Sequence, residues 1–256
     1  MEEWRRAIAF MRALDQRCAE EVVPVPWGRA LINRTLSSHP DLNYLIADAL
    51  TGDVDARTLA SSAEQIQGSA GLTFRRVNVD DQPAAERLLA GFTDLQFAAE
   101  RSCVMVRHRA PDRTVDPAGV EEIDWERYRP TRELAIRREW WAATERIVQQ
   151  ALAKQELTRR HLNIRYFAAI VDGRPVSVCE LRREGQTAQI EFVETLEEYR
   201  RRGLARQVVG AALMAAREAR FVFLVADLFD WPQHFYERLG FDTIGIETRF
   251  MRHLSG

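Results

Sequence analysis

The chain has 256 residues, 46% of them hydrophobic and 29% charged, an ordinary globular composition with length for one large core or two small ones. Its formal net charge of −2 argues against a nucleic-acid-binding surface over the whole molecule, and no apolar run approaches the roughly 20 residues of a membrane span. Cys18, Cys103 and Cys179 are far apart and odd in number, so they form no disulfide framework or C-x-x-C metal pair and point to a reducing, cytoplasmic setting.

In chain order, "MEEWRRAIAFMRALDQRC" has early acidic residues and charge throughout, unlike a secretory leader. Trp4, Ile8, Met11 and Cys18 recur at helical spacing, which predicts an amphipathic helix. Further along, "APDRTVDPAG" carries two prolines and turn residues and reads as a linker. Beyond it, "TRELAIRREWWAATERIVQQALAKQEL" predicts two helices, or one broken near Trp140 and Trp141. "IRYFAAIV" predicts a buried strand ending in Asp172-Gly173, a two-residue hairpin signal. "PVSVCEL" returns to a turn at Glu184-Gly185, and "AQIEFVETL" makes a third strand.

Next comes "EYRRRGLARQ" (198–207), then a helix on which Leu204, Val208, Ala211, Ala212 and Ala215 share one face. "RFVFLVADL" suits a central strand. "WPQHFYERLG" fits a short helix ending at Gly240, with Asp230 as its N-cap, and "FDTIGIETRFMRH" closes the chain as a strand. Trp140, Trp141 and Trp231 are expected in the core, and His234 at an exposed helix position. A strand–helix–strand step on either side of 204–219 implies one parallel pair within a mixed sheet.

The first half repeats this ending. "DQPAAERLLAGF" (81–92) and "DWPQHFYERLGF" (230–241) both read D-x-P, seven residues, then G-F, and each leads to a strand closing on Met-x-Arg-His or Met-Arg-His. The agreement predicts two copies of one fold, the first over 1–110 and the second over 119–256.

The cluster at 200–206 asks for an explanation. A loop leaving the C-terminal end of a strand and opening a helix collects exposed backbone N–H groups, and with the helix dipole behind them they make an anion site. Gly203 lets the backbone approach a ligand, Ala205 keeps the first turn slim, and Arg201, Arg202 and Arg206 can meet phosphate oxygens from the rim. Arginine runs carry little weight by themselves here, because Lys154 is the only lysine. Neither G-x-x-x-x-G-K-S/T nor G-x-G-x-x-G occurs, which excludes a nucleoside-triphosphate P-loop and a dinucleotide fingerprint.

With these residues in place, the sequence resembles the GNAT superfamily of acyl-CoA-dependent N-acyltransferases. The family's pyrophosphate loop, Gln/Arg-x-x-Gly-x-Gly/Ala between a strand and a helix, is matched by Arg200-Arg201-Arg202-Gly203-Leu204-Ala205 after "FVETLEEY". Its tyrosine shortly before G-F on the last helix is matched by Tyr236 in "FYERLGF". The resemblance covers about 119–256 and is densest over 188–242. Gln65 to Ala70 also satisfies the loop pattern, but it ends a helical stretch, so its amides face the wrong way.

The resemblance implies a mixed, mostly antiparallel sheet flanked by helices, in two tandem copies with the first degenerate. It implies acetyl-CoA as co-substrate and an amine acceptor, with no metal, no nucleic acid and no membrane. Arg200, Arg201, Arg202, Gly203, Leu204, Ala205 and Arg206 would hold the pyrophosphate, and backbone at Val193, Thr195 and Leu196 the pantetheine arm. Tyr236 would protonate the departing thiolate, and Glu194 or Glu191 would take the amine proton, Glu194 being preferred as nearer the acyl group. Three residues apart on a regular strand, the two glutamates should face opposite ways. The alternative is a non-catalytic acyl-CoA sensor in which Tyr236 and the glutamates only pack. In the first half, Asp53 and Asp55 follow Gly52 where a helix should begin, and Arg87 stands where Tyr236 does, so that half is expected to bind no coenzyme A.

Overall fold

The computed structural model describes residues 1–228 and 232–254; Asp230 and Trp231 therefore lie outside the described residues. The chain divides into two compact units. One comprises Met1–Val104 with the described residues from Asp227 and from Ile244, and the other comprises Met105–Ala226 with those up to Thr243.

The first unit opens with α1 (Glu2–Cys18), the hairpin β1 (Glu21–Val25) and β2 (Gly28–Ile32), and β3 (Tyr44–Ala47). There follow α2 (Ala56–Ser69), β4 (Phe74–Val79), α3 (Gln82–Asp94) and the start of β5 (Ala98–Arg107). Its sheet runs β1-β2-β3-β4 and then takes in the end of the last strand, β11 (Phe241–His253). β3 and β4 are parallel, and Thr248–His253 runs antiparallel to Val79–Phe74. This pairing is why residues after Ile244 belong with the first unit. Phe250 stacks on Phe92 at 4.0 Å between ring centroids, seating that strand on α3.

The β1/β2 hairpin has no plain sequence signal, because Pro24 and Pro26 read as breakers. An edge strand tolerates proline, since one side of its ladder needs no donor, and Pro24 pairs opposite Arg29. Gly28 is required there: a Cβ would stand 1.9 Å from the Ile46 carbonyl oxygen.

The second unit contains β6 (Val120–Ile123), α4 (Trp125–Ile136), α5 (Glu145–His161), β7 (Asn163–Val171), β8 (Arg174–Glu184) and β9 (Thr187–Thr195). A short 3₁₀ turn (Glu197–Tyr199), α6 (Leu204–Ala215), β10 (Phe221–Asp227) and α7 (Pro232–Glu237) complete it. Its strands run β6-β7-β8-β9-β10, antiparallel except for the parallel pair β9 and β10. Asp172 and Gly173 turn the β7/β8 hairpin at φ of 50° and 76°, as the two-residue signal requires. The succession strand, helix, strand, helix, strand thus occurs twice, as β3-α2-β4-α3-β5 and β9-α6-β10-α7-β11.

The helical break near the tryptophans is observed between α4 and α5. Trp140, however, is 83% exposed rather than in the core. Arg137 ties Glu133 at the end of α4 to Glu145 at the start of α5, and Trp140 stands outward in the turn so closed. Trp141 is half-buried against Ile136, Val148 and Leu152. Among the described residues no helix is long and apolar enough to cross a membrane.

Candidate active site

The parallel ladder of β9 and β10 covers Thr187, Ala188 and Gln189 opposite Phe221, Val222 and Phe223, and stops there. β9 nevertheless runs on to Thr195 and β10 to Asp227, so their C-terminal ends stand open as a cleft. In the first unit the corresponding strands close. β3 and β4 pair to their last residues, Ala47 opposite Val79, and the Asp80 N–H donates to the Ala47 carbonyl at 3.3 Å.

Where β9 leaves β10 it bulges against β8. Val178 lies opposite Glu194 and Glu180 opposite Glu191, so Phe192 and Val193 together face Cys179. Phe192 adopts a left-handed φ of 48°. One residue beyond the regular count removes one backbone group from the ladder and shifts the alternation of faces. This corrects the expectation for the glutamates: Val178 and Glu180 share a face of β8, so Glu191 and Glu194 share a face as well.

The chain leaves β9 at Leu196 and enters α6 through Arg200–Gly203. Arg201 and Gly203 both have positive φ, 62° and 80°. Side chains of Asp55, Asp81, Asp124 and Thr144 cap α2, α3, α4 and α5, whereas at α6 the N-cap is Gly203 and no side chain caps it. Among the described residues no side chain caps the first-turn amides of α6, which leaves them to an outside acceptor with the positive end of the dipole behind them. In the first unit the Asp55 carboxylate takes that place itself, accepting the Thr58 N–H at 2.8 Å.

The loop side chains differ from one another. Arg200 Nε donates to the Thr195 carbonyl at 3.2 Å, and Arg202 donates to the Glu198 carbonyl at 2.9 Å while lying over the Tyr199 ring. Arg206 is 9% exposed and donates to Asp112 at 2.7 Å, which lowers the Asp112 carboxyl below its ordinary value. Arg206 therefore supports the loop from the buried side of the first helical turn rather than lining its rim. Leu196 is also committed: its N–H donates to Val176 and its carbonyl accepts from Tyr199. The turn into the 3₁₀ segment consumes the backbone groups that an extended strand would offer to a pantetheine arm. Thr195 Oγ1 bonds Ser177 Oγ at 2.8 Å, and Val193 lies within the bulge.

On the α4 side of the bulge stands a group of charges of which sequence reasoning named only Glu191 and Glu194. Arg132 donates to Glu194 at 2.8 Å. Arg182 donates to Glu180 at 3.0 Å and to Glu191 at 3.2 Å, and Gln189 donates to Glu191 at 3.1 Å. The guanidinium carbons of Arg132 and Arg182 lie 3.9 and 5.0 Å from the Phe192 ring centroid. Arg132 comes from a different helix, and an arginine-rich composition hides it. Burial pushes the Glu194 carboxyl above its ordinary value, with the Arg132 charge opposing.

Tyr236 of α7 is buried between Phe235 and Phe241, at 5.1 and 6.1 Å between centroids. Burial raises its phenol well above the ordinary value, and the nearby Cys179, Glu191 and Glu194 add to the rise. The structure therefore brings Tyr236 and both glutamates into one electrostatic neighbourhood. Burial raises the Cys179 thiol too, with Glu180 adding to the rise. His234 is exposed and pairs with Glu237.

Among the described residues no group of three or more His, Cys, Asp or Glu could hold a metal ion. A cavity of about 280 Å³ lined by Arg107, His108, Arg109 and Arg220 lies at the opposite, N-terminal end of β10 and takes no part in this arrangement.

Residues 120–241 match the Acetyltransferase (GNAT) family. A functionally unknown conserved protein from Staphylococcus epidermidis superposes with a TM-score of 0.70 at 15% identity, over 93% of this chain and 95% of its own. A GCN5-related N-acetyltransferase from Kribbella flavida gives 0.60 at 17% identity, over 98% and 95%. A tandem GNAT protein from the clavulanic acid biosynthesis pathway gives 0.55 at 14% identity, over 78% and 70%. No curated protein matches the chain in sequence. At such identities these structures speak to fold, which is the mixed, mostly antiparallel GNAT architecture in tandem.

Proposed function

Starting from a chain whose residues 120–241 match the Acetyltransferase (GNAT) family, we propose an enzyme that moves an acetyl or other short acyl group from acetyl-CoA to a primary amine. We assign catalysis to 119–256 and read 1–110 as a degenerate copy. The observation that carries this reading is a coincidence in space. The uncapped start of α6, the bulge at Phe192 and Val193, and the group of Tyr236, Glu194 and Glu191 all lie at the open end of β9 and β10.

Each part has a task. The α6 amides and Gly203 hold the pyrophosphate, with Arg200, Arg201 and Arg202 beside them and Arg206 behind. The backbone at Val193 meets the pantetheine arm, and the amide released by the bulge faces the oxygen of the thioester carbonyl as charge develops there. Glu194 takes a proton from the ammonium through water. The amine nitrogen then bonds the carbonyl carbon, the carbon–sulfur bond breaks, and the sulfur receives the Tyr236 proton. The phenolate recovers its proton from the nitrogen of the new amide, through water.

A panel of amines tested for thiol release from acetyl-CoA checks the activity. Release with one acceptor class is expected. Coenzyme A binding without thioester consumption across the panel would favour a sensor instead.

The first unit differs at each of these points: its strands close, Asp55 fills its helix start, and Arg87 donates to the Val54 carbonyl where a tyrosine would stand. Calorimetric titration should accordingly give one coenzyme A per chain. A stoichiometry of two would overturn the reading of 1–110.

A further inference from the structure

We propose that Arg132 is a positioning residue for this acyl transfer, fixing the Glu194 carboxylate and the shape of the β9 bulge together. The inference rests on Glu194 being the base. The two contacts of Arg132 fall on the residues either side of Val193: one donor to Glu194 Oε1 at 2.8 Å, and a guanidinium face 3.9 Å from the Phe192 ring centroid. A single buried side chain, 5% exposed, therefore grips the bulge on both sides of the amide it frees. Its own place is set by α4, which is anchored by Trp125 and Tyr128 packing on Tyr166 and Val178, and by Thr131 donating to the Pro175 carbonyl at 2.8 Å.

Without such a grip the left-handed φ of Phe192 has little reason to persist, since a bulky residue reaches it only when its surroundings impose it. The pair is also asymmetric in a useful way. Arg132 occupies Oε1, while the Glu194 side chain keeps 24% exposure, so the residue is not sealed from water. Planar guanidinium suits the double task, because it can present one edge to a carboxylate and one face to a ring; an ammonium cannot.

The groups acting on Glu194 from the surrounding elements are Arg132 of α4, Glu139 in the turn beyond it, Arg200 of the loop and Tyr236 of α7. From β8, the Ser177 hydroxyl donates to its carbonyl. Burial and Glu139 favour the neutral acid; Arg132 and Arg200 favour the carboxylate. Removing Arg132 must therefore raise the proton affinity of Glu194. A base works only when deprotonated, so the acidic limb of kcat/KM should move to higher pH.

The experiment follows the Glu194 carboxyl by carbon-13 NMR, identified by its loss in Glu194→Gln, alongside kcat/KM against pH. Arg132→Met should carry both the titration and the acidic limb upward by about 1 to 3 pH units. It should also lower kcat about tenfold on the alkaline plateau, with KM for acetyl-CoA unchanged. Arg132→Lys should restore the titration and leave kcat low. If Arg132→Met fails to fold, Arg132→Gln, which keeps a donor and loses the charge, provides the same readings. A limb that disappears in Glu194→Gln but stays in place in the Arg132 variants overturns the proposal alone. A limb unchanged in Glu194→Gln overturns the assignment of Glu194 as base, and this inference with it.

Discussion

Gly203→Glu should leave the protein folded and abolish coenzyme A binding, raising Kd at least about a hundredfold, or about 2.8 kcal/mol. The two halves of that result have separate causes. Among the described residues, chain neighbours aside, nothing lies within 4 Å of a Cβ built on Gly203, so the added Cβ enters open space. Its folding cost is that of a side chain at φ 80°, about 1–2 kcal/mol. The binding loss arises because a carboxylate is placed where the α6 amides and the helix dipole would receive a phosphate, as Asp55 already does at α2. Arg202→Ala should weaken binding far less, because its guanidinium is partly engaged by the Glu198 carbonyl and the Tyr199 ring. Calorimetry paired with a thermal melt checks both variants. Unchanged affinity in a folded Gly203→Glu protein would remove the phosphate cradle from the scheme.

Tyr236→Phe should lower the chemical step by about 10²–10⁴, equivalent to about 2.7–5.5 kcal/mol in activation free energy, with coenzyme A affinity nearly unchanged. The substitution keeps the ring and its edge contacts with Phe235 and Phe241 and deletes only the hydroxyl. A phenol raised by burial is protonated throughout the neutral range, which an acid needs. A raised value also makes it reluctant to give the proton up, and the reaction proceeds only if the thiolate is equally disfavoured there. The direction also predicts a pH profile. Because Tyr236 stays protonated past the ordinary phenol value of about 10, it should add no alkaline limb to kcat/KM below about that pH. Single-turnover kinetics measure the loss, and full activity in the Phe variant would leave Tyr236 a packing residue.

What could be read from residues alone were features decided within a few positions of the chain. Asp172-Gly173 specifies its turn because both residues tolerate positive φ, and the strand, Gly203 and helix of the pyrophosphate loop are contiguous. The break before α5 and the repeated D-x-P…G-F are likewise local. The residues that shape the site are arranged by contacts between distant segments. The bulge exists through the register of β8 against β9, and only that register brings Glu191 and Glu194 to one face. Arg132 reaches Glu194 from 62 residues away, and Arg206 meets Asp112 across 94. The end of β11 joins β4 from the far end of the chain. Whether a parallel pair closes, as at Ala47 and Val79, or opens, as after Gln189 and Phe223, is invisible in strand composition. Local propensity acts through backbone angles and neighbouring side chains, so composition and spacing express it. Register, splay and the pairing of buried charges depend on which surfaces meet once the chain has folded, and that the tertiary structure alone decides.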